Sequence, residues 1–359
     1  MNLIKKVNWR FWLGIVISVT FITLLLYRVQ LQEVLSTMRQ ANYLLVIPAI
    51  CVYFVATYFR ALRWRYIIRP IEQVSVSKLF IVVVIGYTAN NLLPARLGEI
   101  IRAYYLARKS TVRDSTALAT IAVERVYDGI TLIAFGALAI TILGLGGMFR
   151  EVNDFYQSKI LFLGIGGAII FGLALTFVIF SGSTSTRRLL MIILKLSPTK
   201  IRPTLERNLQ WFIDGLNVVD SPRRHLGLFL WSCPIWLLES SVYLFVAYSF
   251  HINQEFESLN TLIWVMVLLT TTSNLATAIP SSIGGIGPFE IVAQQTLIVF
   301  GVSASLGAIY AGFIHLVALW LPITLVGLFI LWHQNWSLKN IKLKSEYASN
   351  PAKEMEIHR

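Results

Sequence analysis

The chain has 359 residues, 56% of them apolar and 14% charged, with a mean hydropathy of +0.67. No soluble fold of this length hides that much apolar surface, and soluble domains carry about 25% charged residues, so a membrane protein is expected. The net charge of +13 fits Lys and Arg gathered in cytoplasmic loops beside anionic head groups rather than a nucleic-acid partner.

Apolar segments fall near 11–27, 43–59, 79–93, 115–143, 160–180, 226–249, 261–280 and 304–331. They are too long and too apolar for outer-membrane strands. They predict an all-α polytopic membrane protein with a single transmembrane domain over 1–332. Segment 11–27 follows Lys5, Lys6 and Arg10 without a cleavage motif, and reads as a retained first helix. Cys51 and Cys233 lie in apolar segments with no ligand spacing, so neither a disulfide framework nor a metal cofactor is expected.

Loop charge sets the orientation. Residues 60–78 carry Arg60, Arg63, Arg65, Arg69 and Lys78 against Glu72; 181–224 and the tail 333–359 are also basic. These segments and both termini are expected in the cytoplasm of a cell inner (plasma) membrane protein. Loop 250–260 holds Glu255 and Glu257 without Lys or Arg and is expected outside. In the cytoplasmic loop, Leu205, Leu209, Phe212, Leu216 and Val219 give 186–222 an apolar stripe, suited to the membrane surface or to other helix ends.

This orientation forces 79–114 to leave and return by one face. A re-entrant hairpin turning at "NNLLPARLG" satisfies it, with Pro94 and Gly98 at the turn. Residues 261–301 meet the same constraint from the other side, turning at "IPSSIGGIG" with Pro280, Gly284, Gly285 and Gly287. Two full crossings, 261–280 and 286–301, are the alternative there. The hairpin reading makes two inverted halves, about 10–145 and 158–332, each of three helices and one hairpin.

Ionisable residues at membrane depth cost about 2.5–3.5 kcal/mol each on insertion scales. Arg96, Glu99 and Arg102 recur every three residues in the first hairpin; Glu124, Arg125 and Asp128 lie in "AVERVYDG"; Glu239, Glu290 and His315 lie in later apolar segments. Glu124 is about 14 Å into its helix at 1.5 Å per residue. One reading pairs these charges, Arg96 or Arg102 with Glu99 and Arg125 with a hairpin carboxylate, or sends Arg102 and Arg108 toward the interface, and makes His315 a packing residue. The other sets Arg96 and Arg102 at a broken-helix N-terminus that favours an anion, with Asn91, Ser281 and Ser282 completing a phosphate site.

The blocks "NLLPARLGEIIRAYYL", "AVERVYDG" and "IPSSIGGIGPFE" resemble those of the lysylphosphatidylglycerol synthase transmembrane domain family, the flippase-like membrane proteins. The resemblance covers roughly residues 10–332. It implies a membrane protein connected with lipid translocation and carries function to Asn91, Pro94, Arg96, Gly98, Glu99 and Arg102, to Glu124, Arg125 and Asp128, and to Pro280, Gly284, Gly285, Gly287 and Glu290. The tail 333–359 has no room for the soluble synthase domain that other members carry, so no synthase activity is expected.

Three functions fit. The first is a translocase moving a phospholipid or prenyl-phosphate lipid between leaflets, with anionic or phosphate-bearing membrane lipids as partners and no covalent chemistry. The second is a metal-dependent intramembrane enzyme acting on a lipid phosphate, with Glu99, Glu124 and Asp128 as ligands. The third is a secondary transporter of a soluble anion.

Overall fold

A computed structural model of the chain describes residue 23 and residues 31–93, 97–145, 221–277 and 283–334. The expected spans near 11–27 (apart from residue 23) and 160–180, nearly all of 186–222 and the tail beyond Gln334 lie outside these residues. So do Pro94, Arg96, Pro280, Ser281 and Ser282. The described chain is helical, with no strand among the described residues. Five of its helices are long and apolar enough to cross a membrane, as the composition demanded.

A short helix, α1 (Leu31–Gln40), precedes Asn42, whose side chain accepts the Leu44 N–H at 3.2 Å. That cap opens a 3-10 turn, Tyr43–Leu45, and the long α2 (Val46–Ile68). The helix stops just before Pro70, which has no N–H to continue it. It therefore runs well past residue 59, and Arg60 and Arg63, expected in a cytoplasmic loop, are helical and buried.

Helices α3 (Val76–Leu92) and α4 (Leu97–Lys109) fold back on each other. The Gly98 N–H donates to Asn90 Oδ1 at 2.8 Å. A Cβ on Gly98 would lie 2.1 Å from the Gly86 carbonyl oxygen, so this glycine, in the first turn of α4, sets how closely the two helices approach. The feet are tied together: the N–H and hydroxyl of Thr111 both donate to Glu72 Oε2, at 2.8 and 2.6 Å. Residues 76–109 thus leave and return at one end of the molecule. With 17 residues, α3 is about 25 Å long.

Helix α5 (Asp114–Leu145) rises from that end, and α6 (Pro222–Ser249) lies antiparallel to α2. Their partnership is fixed at the far end, where the Asn42 N–H donates to the Ser249 carbonyl at 2.8 Å. Helices α7 (Leu259–Ala276) and α8 (Pro288–Val299) form a second hairpin, joined by Thr272 and Thr296 hydroxyls 3.0 Å apart. Between them Gly284, Gly285 and Gly287 hold φ of 62°, 80° and 104°, a left-handed turn that side chains disfavour.

The last helix is continuous but not uniform. After α9 (Ala304–Phe313) comes a π-helical stretch, Ile314–Trp320, then α10 (Leu321–His333). The wide turn sits just ahead of Pro322, whose ring and missing N–H disturb the preceding hydrogen bonds. It presents His315 and Trp320 to the interior.

Two apolar cores flank this interior. One gathers Val46 to Tyr53 of α2, Val242 to Phe250 of the α6 end, and much of α7 to α10. The other gathers Ala61 to Ile68, parts of α3 and α4, and Ala117 to Tyr127. Most of the buried charges lie where the two cores meet.

Candidate functional site

Four guanidiniums and four carboxylates interlock at that level. Arg63, fully buried on α2, donates to Asp128 Oδ1 at 2.6 Å and to the Ser232 hydroxyl at 2.7 Å, with Glu124 at 3.8 Å. Arg102 of α4 reaches Glu124 at 2.7 Å and stacks on Trp64 at 3.7 Å. Arg60 pairs with Glu239 of α6 and lies over the Trp236 ring at 4.7 Å. Trp236 in turn donates its indole N–H to Asp128 at 3.2 Å. Arg125 lies 3.4 Å from Asp128 and 3.7 Å from Glu99.

With every group charged the set is neutral, which is why an apolar bundle tolerates it: a buried charge persists only when paired. The spacing along the chain makes the pairing possible. Arg60 and Arg63 share one face of α2, and Glu124 and Asp128 one face of α5.

The network has a closed end and an open end. The Arg63, Asp128, Arg102 and Glu124 side chains are at most 6% exposed, whereas Arg125 and Glu99 are 30% and 25% exposed. The Arg125–Glu99 contact, at 3.7 Å, is beyond hydrogen-bond length. These two side chains, with Arg60 and Glu239, face a cavity of about 170 Å³.

Both hairpin tips close that cavity. Asn91, at the end of α3, donates to the Trp320 carbonyl at 3.2 Å and to the Thr324 hydroxyl at 2.9 Å. A Cβ on Gly284 would meet Trp320 Nε1 at 2.8 Å and the Asn91 carbonyl oxygen at 3.2 Å. The remaining walls come from Tyr53, Tyr87, Trp236, Asn274, Phe289 and His315. Behind His315, Glu290 accepts its Nδ1 at 2.6 Å and the Gly287 N–H, also at 2.6 Å. That carboxylate anchors the start of α8.

The residues singled out from the sequence therefore divide. Asn91, Glu99, Arg125, Gly284 and Gly285 line the cavity. Arg102, Glu124 and Asp128 form its ionic floor, Glu290 stands one side chain behind it, Gly287 caps α8, and Gly98 packs α4 on α3. Arg96, Ser281 and Ser282 are outside the described residues. Arg60, with Tyr53 and Trp236, was missed because the first arginines after an apolar run look like a loop. The usable signal was Pro70, the true stop, with "ALRWRYII" still apolar before it.

Residues 11–327 match the family described as the lysylphosphatidylglycerol synthase TM region. The chain belongs to this family. Among its relatives is a UPF0104 membrane protein of Pyrococcus horikoshii, 25% identical over 89% of this chain and 96% of its own length. The glycosyltransferase AglD of Haloferax volcanii is 23% identical over 77% of this chain, a match spanning 47% of AglD. A UPF0104 membrane protein of Methanocaldococcus jannaschii is 26% identical over 45% of this chain and 48% of its own. No solved structure matches. Membership agrees with the multi-pass helical architecture.

The donor set fits a divalent metal poorly. Each carboxylate that the sequence offered as a ligand faces a guanidinium: Glu99 faces Arg125, Glu124 faces Arg102, and Asp128 faces Arg63. A cation placed among them would displace those arginines into a buried, unpaired state, which costs several kcal/mol each.

Proposed function

We propose that this chain is a flippase-like lipid translocase. A phosphate-bearing head group passes through the cavity between the hairpin tips while its hydrocarbon chains stay in the bilayer. The α3–α4 and α7–α8 hairpins are re-entrant, enter from opposite faces and belong to inverted halves of one domain. The end carrying Arg65, Arg69, Lys78 and Lys109 faces the cytoplasm, by the bias of basic residues to that side.

One observation carries the reading. Where the two hairpin tips meet, the ion-pair network opens, and Arg125 is held only loosely by Glu99 at 3.7 Å. A guanidinium with spare donors beside a cavity of head-group size is suited to a phosphate. The family description names a phospholipid, which supports a lipid cargo. Arg125 and Arg60 grip phosphate; Arg63, Arg102, Glu124 and Asp128 keep the floor rigid. No nucleotide-binding motif occurs in the sequence, so transport is passive or ion-coupled.

The test is the lipid that copurifies in mild detergent, identified by mass spectrometry for the native chain and for Arg125→Ala. An enriched phosphate-bearing lipid that falls in the variant supports the site. Bulk lipid, equal in both, overturns it.

A further inference from the structure

The cavity carries more than a phosphate grip, and its other groups define a head-group class. Tyr53 is 8% exposed, and no described residue bonds its hydroxyl. Across the cavity the Tyr87 phenol likewise has no hydrogen bond to a described residue, and the Arg60 guanidinium lies 5.8 Å from its ring. Three amides are each anchored at one end: Asn90 through Oδ1 to Gly98, Asn91 through Nδ2 to Thr324, and Asn274 through Nδ2 to the Tyr243 hydroxyl at 3.0 Å. Their other ends have no bond to a described residue, and all three residues line the cavity.

These polar ends, not bonded to any described residue, converge on one cavity and are available to a ligand. They are of both senses. Phenols donate and accept, Asn90 keeps donors, and Asn91 and Asn274 keep acceptors. An ammonium only donates, and would sit beside two guanidiniums. A bare phosphate only accepts, and leaves the free carbonyls unanswered. Hydroxyls answer both.

We infer that the cavity recognises a polyhydroxylated head group, a polyol or a single glycosyl unit, attached to the phosphate. The volume of about 170 Å³ is well above the minimum of about 10–15 Å³ that one water needs, and leaves room for more than a bare phosphate. This inference rests on the proposed translocase site for its phosphate contact, but the hydroxyl recognition is a property of binding and is tested apart from transport.

Intrinsic tryptophan fluorescence, with Trp236 and Trp320 on the cavity wall, reads binding to the full chain in detergent. The probes are dioctanoyl phosphatidylinositol, dioctanoyl phosphatidic acid, dioctanoyl phosphatidylethanolamine and free inositol phosphate. The inositol lipid is expected to bind at least tenfold more tightly than either other lipid. Each lost phenol is worth about 3- to 10-fold on the scale of one hydrogen bond, so Tyr53→Phe and Tyr87→Phe each shrink that ratio. Removing a hydroxyl leaves both rings packed, so folding is retained, and unchanged helical circular dichroism checks it. Equal affinity for the three lipids, or a ratio unmoved in both variants, overturns the inference. Inositol phosphate binding as tightly as its lipid keeps the hydroxyl recognition but assigns it to a soluble anion. Selective binding without translocation in vesicles keeps it too, while removing the translocase reading.

Discussion

Replacing Arg63 by Met exposes how the buried network is held. The side chain is wholly buried, with Asp128 at 2.6 Å, Ser232 at 2.7 Å and Glu124 at 3.8 Å. Removing one partner of a buried pair costs about 3–5 kcal/mol, because the other charge is stranded. Asp128 is not fully stranded here: Arg125 at 3.4 Å, Arg60 at 3.8 Å and the Trp236 N–H at 3.2 Å remain. The expected cost therefore lies near the lower limit, about 3 kcal/mol. Asp128→Asn strands Arg63 against a distant Glu124 and costs a similar amount. The double variant restores charge balance, so its cost falls short of the sum by about 1–3 kcal/mol. Denaturant titration in detergent micelles, followed by tryptophan fluorescence, measures all three. Additive costs, or an Arg63→Met variant within about 0.5 kcal/mol of the native chain, refute a network that stands on mutual compensation.

Gly98→Ala should destabilise by about 1–3 kcal/mol, since its Cβ meets the Gly86 carbonyl oxygen at 2.1 Å; Gly86→Ala, whose nearest atom is the Arg102 Cβ at 3.0 Å, should cost less, and thermal unfolding ranks the two. Arg102→Lys keeps the charge but loses the planar stack on Trp64 at 3.7 Å, a loss of about 1–2 kcal/mol readable in the same titration. Glu290→Gln weakens two bonds of 2.6 Å, to His315 and to the Gly287 N–H; hydrogen exchange at the start of α8 should quicken, and unchanged protection there would count against its anchoring role. Arg125→Gln should leave stability within about 1 kcal/mol, because its side chain is 30% exposed, its contact with Glu99 is loose and Asp128 keeps Arg63 at 2.6 Å, while weakening phosphate-lipid binding in a fluorescence titration.

Much of this arrangement was legible in residues. Loop charge alone required 79–114 to turn back, and the Thr111–Glu72 bonds tie the feet of that turn together. The glycines of "IGGIG" marked a turn, and all three have positive φ. Pairing among the membrane-depth charges was foreseen, including Arg125 with a hairpin carboxylate, which is Glu99, but Arg102 takes Glu124 where Glu99 was expected. Glu124 faces Arg102 and Glu239 faces Arg60 across helices far apart in sequence, and helical periodicity carries no information on such distances. Arg60 and Arg63 were lost to the loop because positive charge was weighed above the proline that ends α2. The π-helical turn at Ile314–Trp320 was also invisible: Pro322 marked a disturbance, but not that it would turn His315 and Trp320 toward the cavity.

The most direct measurement is translocation itself. Vesicles carrying the purified protein are loaded with a tail-labelled phosphatidylinositol, and the label exposed on the outer leaflet is followed by a membrane-impermeant quencher. The account predicts movement faster than in protein-free vesicles, slowed by both Arg125→Gln and Arg60→Gln. Movement at the protein-free rate, or at the native rate in both variants, contradicts it.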